Sequence, residues 1–209
     1  MRGIALLVTA ALTWSLPAQA AWKEYSYADL GIAKFFPAEP KMTTGSYGAG
    51  IRLPLTKIMP DTILTAEDGG VTYKVTVVDF HDRQTEGANL MAEAFSSLAA
   101  KGNVVSEGFP RLDLGKNSVY GLTLSVDEKG GDHTNSAVFF NKGKLYLVQA
   151  SAPLNSPAHF DSGMARFVET IRFHLEGYGY DEKLGRDYPL GDDDPGDRDL
   201  GNNRPRAPK

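Results

Sequence analysis

The sequence predicts an α+β domain in which helices cover one antiparallel β-sheet. Three observations lead to this fold class. Strand-like runs come first along the chain, and an amphipathic segment with helical spacing follows them. Three apolar runs joined by short glycine-bearing turns come next, and a second helical segment closes the pattern. Because strands and helices occur in blocks and do not alternate strictly, the sheet is expected to be antiparallel.

Two stretches before the first helix have strand character. The run 31–36 (GIAKFF) has the pattern of a strand, and Pro37 and Pro40 end it because proline donates no hydrogen bond to a ladder. Residues 41–65 are ambiguous, since their aliphatic side chains favour strands whereas Pro54 and Pro60 favour edges or loops. Residues 71–80, after a Gly-Gly turn, alternate between apolar and polar side chains as a half-buried strand does.

The first helix is predicted after Thr85, an acceptable N-cap, with Gly102 just beyond its end as a left-handed C-cap. Three apolar runs, 119–126, 137–140 and 145–150, then form an antiparallel meander. A second helix is predicted from Ser156, because Pro157 suits a first helical position. Its buried stripe is expected to contain Phe160, Met164, Phe167, Val168 and Ile171.

The N-terminus predicts export. Arg2 precedes an almost continuous apolar run over 3–16, and Pro17 to Ala20 has the small-x-small pattern of a cleavage site. Residues 1–20 are therefore interpreted as a signal peptide, which leaves 209 − 20 = 189 residues in a periplasm or outside the cell. The residue after the predicted cleavage site is Ala21 and not the cysteine of a lipoprotein, so no membrane anchor is expected.

Composition excludes several classes of function. The net charge of −4 gives no basic stripe for nucleic acid. The chain has no cysteine, and therefore no disulfide framework, thiolate zinc site or cysteine nucleophile. It has no Gly-x-Ser-x-Gly elbow and no phosphate-binding loop, and no cofactor is predicted.

The C-terminal residues 176–209 are predicted to form a flexible tail of mixed charge. Apolar periodicity ends near Leu175, and the stretch 191–203 (GDDDPGDRDLGNN) is rich in aspartate. A calcium-binding loop needs oxygen ligands at positions one, three and five and a glycine at six, and no register of this stretch satisfies that pattern. The tail interpretation is therefore preferred, and the folded domain is assigned to 21–175.

One cluster of side chains is a candidate metal or catalytic site. Asp79, His81 and Asp82 follow the strand 71–80, and His133 in the meander is expected to supply a further ligand. A zinc site needs at least three protein ligands. The alternative is that these are ordinary polar residues at a strand end, and the sequence leaves both readings open.

Three segments resemble exported bacterial proteins with the PsbP-like fold. They are 31–40 (GIAKFFPAEP), 143–150 (GKLYLVQA) and 166–173 (RFVETIRF), and the similarity spans roughly 22–175. The resemblance implies an α/β/α sandwich around an antiparallel sheet, with a closing helix and a short strand after it. It also implies a non-catalytic role, because members of this family are mostly accessory proteins.

The first hypothesis for function is an exported, non-enzymatic binding or accessory protein that acts on a protein partner in the bacterial cell envelope. The alternative is a metal- or small-molecule-binding protein, or a hydrolase, that uses Asp79, His81, Asp82 and His133. The oligomeric state cannot be read from the sequence.

Overall fold

The computed structural model describes residues 22–48, 59–80, 85–114, 117–160, 162–174, 178–181 and 186–189. Thirteen strands and two α-helices lie within these ranges. Short 3-10 turns occupy Ala28–Leu30 and Pro157–Phe160. The elements, in chain order, are β1 Lys23–Tyr27, β2 Ile32–Phe36, β3 Lys41–Tyr47, β4 Met59–Asp68, β5 Val71–Asp79, α1 Gly87–Ala99, β6 Gly102–Gly108, β7 Arg111–Leu114, β8 Asn117–Glu128, β9 Asp132–Asn141, β10 Lys144–Pro153, α2 Ser162–Glu169, β11 Ile171–Phe173, β12 Tyr178–Asp181 and β13 Arg186–Pro189.

The molecule is built on an eight-stranded sheet in the order β3-β4-β5-β10-β9-β8-β6, with β7 also paired to β8. Every adjacent pair is antiparallel. The meander β8-β9-β10 is confirmed. Lys142 and Gly143 join β9 to β10 with φ angles of 49° and 77°. Positive φ at both loop residues matches the twist of the flanking strands.

One face of this sheet carries the larger core. A three-stranded sheet in the order β1-β2-β11 contributes buried side chains to it, together with helix α2. Phe167 of α2 lies at its centre, with its ring 5.1 Å from the rings of both Phe36 and Tyr73. Tyr146 of β10 donates a hydrogen bond of 2.9 Å to the carbonyl of Leu30, which ties the smaller sheet to the larger one.

Helix α1 covers the opposite face. Its buried side chains include Leu90, Ala94 and Leu98, which pack on side chains of the sheet such as Leu145 and Val138. Successive buried side chains of β9 and β10 belong alternately to the two cores, because side chains alternate between the faces of a strand. The chain is therefore α+β, with a mostly antiparallel sheet and two helices, as the sequence predicts.

A charged side chain lies inside the larger core. Lys34 of β2 has no exposed surface, and its ammonium donates hydrogen bonds to the carbonyl of Phe167 and, over 3.3 Å, to the hydroxyl of Thr170. Burial holds the pKa of Lys34 well below its usual value. These acceptors lie at the C-terminal end of α2, where a cation is favoured.

Three predicted boundaries differ from the structure. Gly102 begins β6 and is not a left-handed cap, because Ala100 ends the helix in the right-handed region. A Cβ on Gly102 would lie 2.0 Å from the carbonyl oxygen of Asp127, so close strand pairing explains the glycine. The second helical segment divides into a 3-10 turn and α2. Ile171 is buried in β11 and not in a helix.

Beyond β11 the structure describes only a hairpin of β12 and β13. The aspartate-rich stretch 191–203 lies outside the described residues, and so does the predicted signal peptide. Within the described ranges, no helix is both long and apolar enough to span a bilayer.

Candidate functional site

Four polar side chains form a compact group at one end of the larger sheet. Ser125 and Asp127 lie on β8, and Asn135 and His133 lie directly opposite them on β9. Because side chains alternate along a strand, all four project from the same face as Ala137 and Phe139, the face that α2 covers. We call Ser125, Asp127, His133 and Asn135 the polar quartet.

The quartet is connected by two hydrogen bonds. The Nδ1 atom of His133 lies 2.7 Å from a carboxylate oxygen of Asp127, and the His133 side chain is 15% exposed. Ser125 donates its hydroxyl proton to the amide oxygen of Asn135 over 2.6 Å. A carboxylate on Nδ1 orients an imidazole as general bases require. However, the Ser125 hydroxyl donates to Asn135 and not to His133. Ser125 and His133 are therefore not arranged as nucleophile and base.

A cleft of about 260 Å³ adjoins the quartet. It lies between α2 and the strands β6, β8 and β9. Its lining includes the polar residues Ser106, Thr123, Ser125 and Asn135 of the strands, and Ala165, Val168 and Glu169 of α2. Its volume is slightly below the range of about 300–1,000 Å³ that is usual for small-molecule sites. The cleft therefore suits only a small polar molecule.

The structure separates two of the four predicted metal ligands, Asp79 and His133. Asp79 is opposite Lys144 on β10, whereas His133 is opposite Ala152 on the other side of that strand. Lys144 and Ala152 are eight positions apart along β10, which is roughly 26 Å at the rise of an extended strand. One ion therefore cannot bind both Asp79 and His133. His81 and Asp82 lie outside the described residues, and the described part of the chain holds no group of three metal-binding side chains.

A second candidate surface is aromatic and exposed. Phe109 lies between β6 and β7 with 81% of its surface exposed, and Tyr120 on β8 is 61% exposed. The guanidinium of Arg111 lies 5.9 Å from the centre of the Tyr120 ring. We call Phe109, Arg111 and Tyr120 the aromatic edge.

Local sequence explains why the aromatic edge projects. Pro110 has no N–H to donate and separates β6 from β7, while its carbonyl accepts a 2.9 Å hydrogen bond from Gly121 of β8. At Gly121 a Cβ would lie 2.4 Å from the ring of Phe139. This ring therefore occupies the space that a side chain at position 121 would need. An open groove of about 410 Å³ lies beside Tyr120, between the start of α1 and the β9–β10 turn, with Met91 and Phe140 in its lining.

Most of the quartet and the whole aromatic edge were not predicted from the sequence. The sequence places His133 in the meander, and the hairpin register then places Asp127 opposite it. The sequence feature that indicates the quartet is the presence of polar residues at a spacing of two on both sides of the Gly130–Gly131 turn. For Phe109, the signal was an aromatic residue followed directly by a strand-breaking proline.

No protein-family model matches the chain, and no curated protein sequence matches it either. Among solved structures the chain is similar to the solution structure of cyanobacterial PsbP (CyanoP) from Synechocystis sp. PCC 6803. The two share 13% sequence identity, and the alignment covers 81% of this chain and 99% of that chain with a TM-score of 0.44.

Proposed function

We propose that this protein is an exported, non-enzymatic binding or accessory protein of the bacterial cell envelope, with a PsbP-like fold, and that it recognises a protein partner through the aromatic edge. The N-terminal pattern of residues 1–20 supports export. The segment 31–40 supports the fold by its resemblance to that family. The quartet supports a non-enzymatic role, because Ser125 donates its proton to Asn135 and not to a base.

The observation that carries the proposal is the exposure of Phe109. When a partner covers a large aromatic side chain that is exposed to water, the burial of its apolar surface favours binding. Aromatic residues and arginine are also the types that contribute most binding energy in protein interfaces. Phe109, Arg111 and Tyr120 therefore combine the composition of an interface with a position at the margin of the sheet.

The proposal is tested by site-specific photo-crosslinking in an envelope extract of the source cell. A photoreactive residue is placed at 109 or 120, and in the control at 129. Lys129 is exposed in the β8–β9 turn directly after Glu128, and Glu128 is roughly 26 Å along β8 from Tyr120 at the usual strand rise. We expect one protein to crosslink from 109 and 120 but not from 129.

A second variant makes the result specific. Phe109→Ser, probed from position 120, should lose that crosslink while its circular dichroism spectrum stays unchanged, because Phe109 contributes little to the core. Equal crosslinking from all three positions, or a crosslink that survives Phe109→Ser, would remove the aromatic edge from the proposal.

A second candidate function is the binding of a small polar molecule in the cleft beside the quartet. The paired hydrogen bonds Ser125–Asn135 and Asp127–His133 favour it, since they hold four polar groups in fixed positions. The cluster of Asp79, His81 and Asp82 stays a separate prediction of a metal site, without His133.

A further inference from the structure

We propose that strand β3 is a self-association edge, at which a second copy of this chain pairs antiparallel to extend the larger sheet. This surface is distinct from the aromatic edge, so the inference does not depend on the proposed function. It rests on the register, exposure and composition of β3.

The outer edge of β3 is open. The strand is terminal in the sheet order, and its inner side pairs with β4 over seven residues in one continuous register. Lys41, Met42, Thr43, Thr44 and Ser46 are all exposed, so none of the residues that the structure describes covers them. A regular, exposed edge offers unpaired N–H and C=O groups to another strand.

Three other strand edges, those of β6, β11 and β1, carry features that normally prevent such pairing. The β6 edge has an irregularity in its register between Val104 and Ser106, and Pro110 follows it. Strand β11 has only three residues, and β1 begins with the charged pair Lys23 and Glu24. Bulges, proline, short length and charge all discourage edge pairing. Strand β3 has no bulge and no proline, and its one charge is at its first residue.

The composition of β3 favours a second copy as the occupant. In an antiparallel pair centred on Thr44, this residue lies opposite itself, and threonine pairs stabilise neighbouring strands. Lys41 then lies opposite Tyr47 of the second copy, and the two Lys41 side chains are roughly 20 Å apart, so like charges do not meet. Met42, which is 53% exposed, is placed beside Ser46 of the second copy and is partly covered.

Sedimentation velocity of the purified chain over a wide concentration range tests the inference. We expect a concentration-dependent dimer, because one strand pair buries a small area and such contacts are weak. Thr44→Lys and Thr44→Glu should each sediment as a monomer, since like charges are then directly opposite. An equimolar mixture of the two variants should regain the dimer. Val105→Lys, which adds a charge to the exposed β6 edge, should leave the dimer intact.

A covalent test does not depend on charge. The chain has no cysteine, so Thr44→Cys is expected to form a disulfide-linked dimer under mild oxidation. Lys41→Cys, on the same exposed strand, should not, because its two copies are far apart in this register.

Three results would overturn the inference. They are a wild-type chain that is monomeric at every concentration, Thr44 charge variants that still dimerise, and equal crosslinking of the Thr44 and Lys41 cysteine variants. A β3 edge that binds only a different protein would produce the first of these results.

Discussion

Lys34 is the residue whose environment differs most from its usual one. Its ammonium is buried beside the ring of Phe167, at 4.3 Å from the ring centre, and burial lowers the pKa of this group. The unfolded chain keeps the ordinary pKa, so it binds more protons than the folded chain at pH values between the two. The free energy of unfolding must therefore rise with pH across that interval.

Replacing Lys34 by methionine should remove this component of the pH dependence. We expect the unfolding free energy of the wild type to rise as the pH approaches the ordinary lysine pKa of 10.5 from below, and the slope of Lys34→Met to be smaller by up to about 1.4 kcal/mol per pH unit. A slope remains in the variant, because burial also lowers the pKa of Lys74. Urea unfolding at a series of pH values measures both slopes.

The control for this measurement is Lys129→Met, which removes an exposed lysine of the β8–β9 turn and should leave the slope unchanged. Measurements stop below pH 10, because burial raises the pKa of Tyr27 and of Tyr47 to about 12. Ionisation of these tyrosines in the unfolded chain lowers stability at higher pH, which is the opposite sign. Parallel curves for the wild type and Lys34→Met would contradict the prediction.

At the scale of elements, glycines set how closely strands approach. Gly102 faces the backbone of β8, which cannot move aside, and a Cβ there would lie 2.0 Å from a carbonyl oxygen. Gly130, in the turn that follows β8, has open space around its Cβ position and does not have a positive φ. The same Gly→Ala substitution at the two positions therefore compares a crowded site with an open one.

Gly102→Ala is expected to lower the unfolding free energy by about 1–3 kcal/mol, the usual cost of forcing a methyl group into occupied space. Gly130→Ala is expected to change it little, or to raise it by up to about 1 kcal/mol, because alanine restricts the unfolded chain. Denaturant midpoints of the two variants give the comparison. Equal effects would show that the β6–β8 contact adjusts to the methyl group.

The elements that the sequence predicted are those with strong periodicity. Strand β5, the meander and α1 were predicted because their buried side chains recur at spacings of two or of three to four. Strands β6 and β7 were missed, because their side chains are mostly exposed and they are held by pairing with β8. An edge strand has little apolar pattern to detect.

The candidate site was less predictable for a related reason. Alternation places His133 on a known face of its strand, but its partner depends on the register of the β8–β9 hairpin, which the turn residues fix. The separation of Asp79 from His133 follows from strand order, a property of the whole sheet. Neither property is encoded in a short stretch of sequence.

At the scale of the whole molecule, one sheet serves two cores. Strands β5, β9 and β10 contribute alternate side chains to the core under α2 and to the core under α1. Loss of packing on one face therefore loosens strands that also form the other core. We expect the domain to unfold in a single cooperative transition.

Leu90→Ala tests this coupling from the α1 side. Leu90 is 1% exposed, and its truncation should cost about 2–5 kcal/mol, as usual for a buried leucine. Trp22 reports from the opposite core, where its ring lies 5.3 Å from that of Tyr73. With Trp14→Phe as the background, Trp22 becomes the sole tryptophan of the chain.

In that background, Leu90→Ala should move the denaturant midpoint of Trp22 fluorescence to lower concentration, by the same amount as the midpoint of far-ultraviolet circular dichroism. Met91→Ala is the matched control, because Met91 is only partly buried at the margin of the same helix face and should cause a smaller shift. Independent cores would leave the Trp22 transition in place while the circular dichroism signal changed in two steps. The shared strands β5, β9 and β10 predict that the two probes coincide.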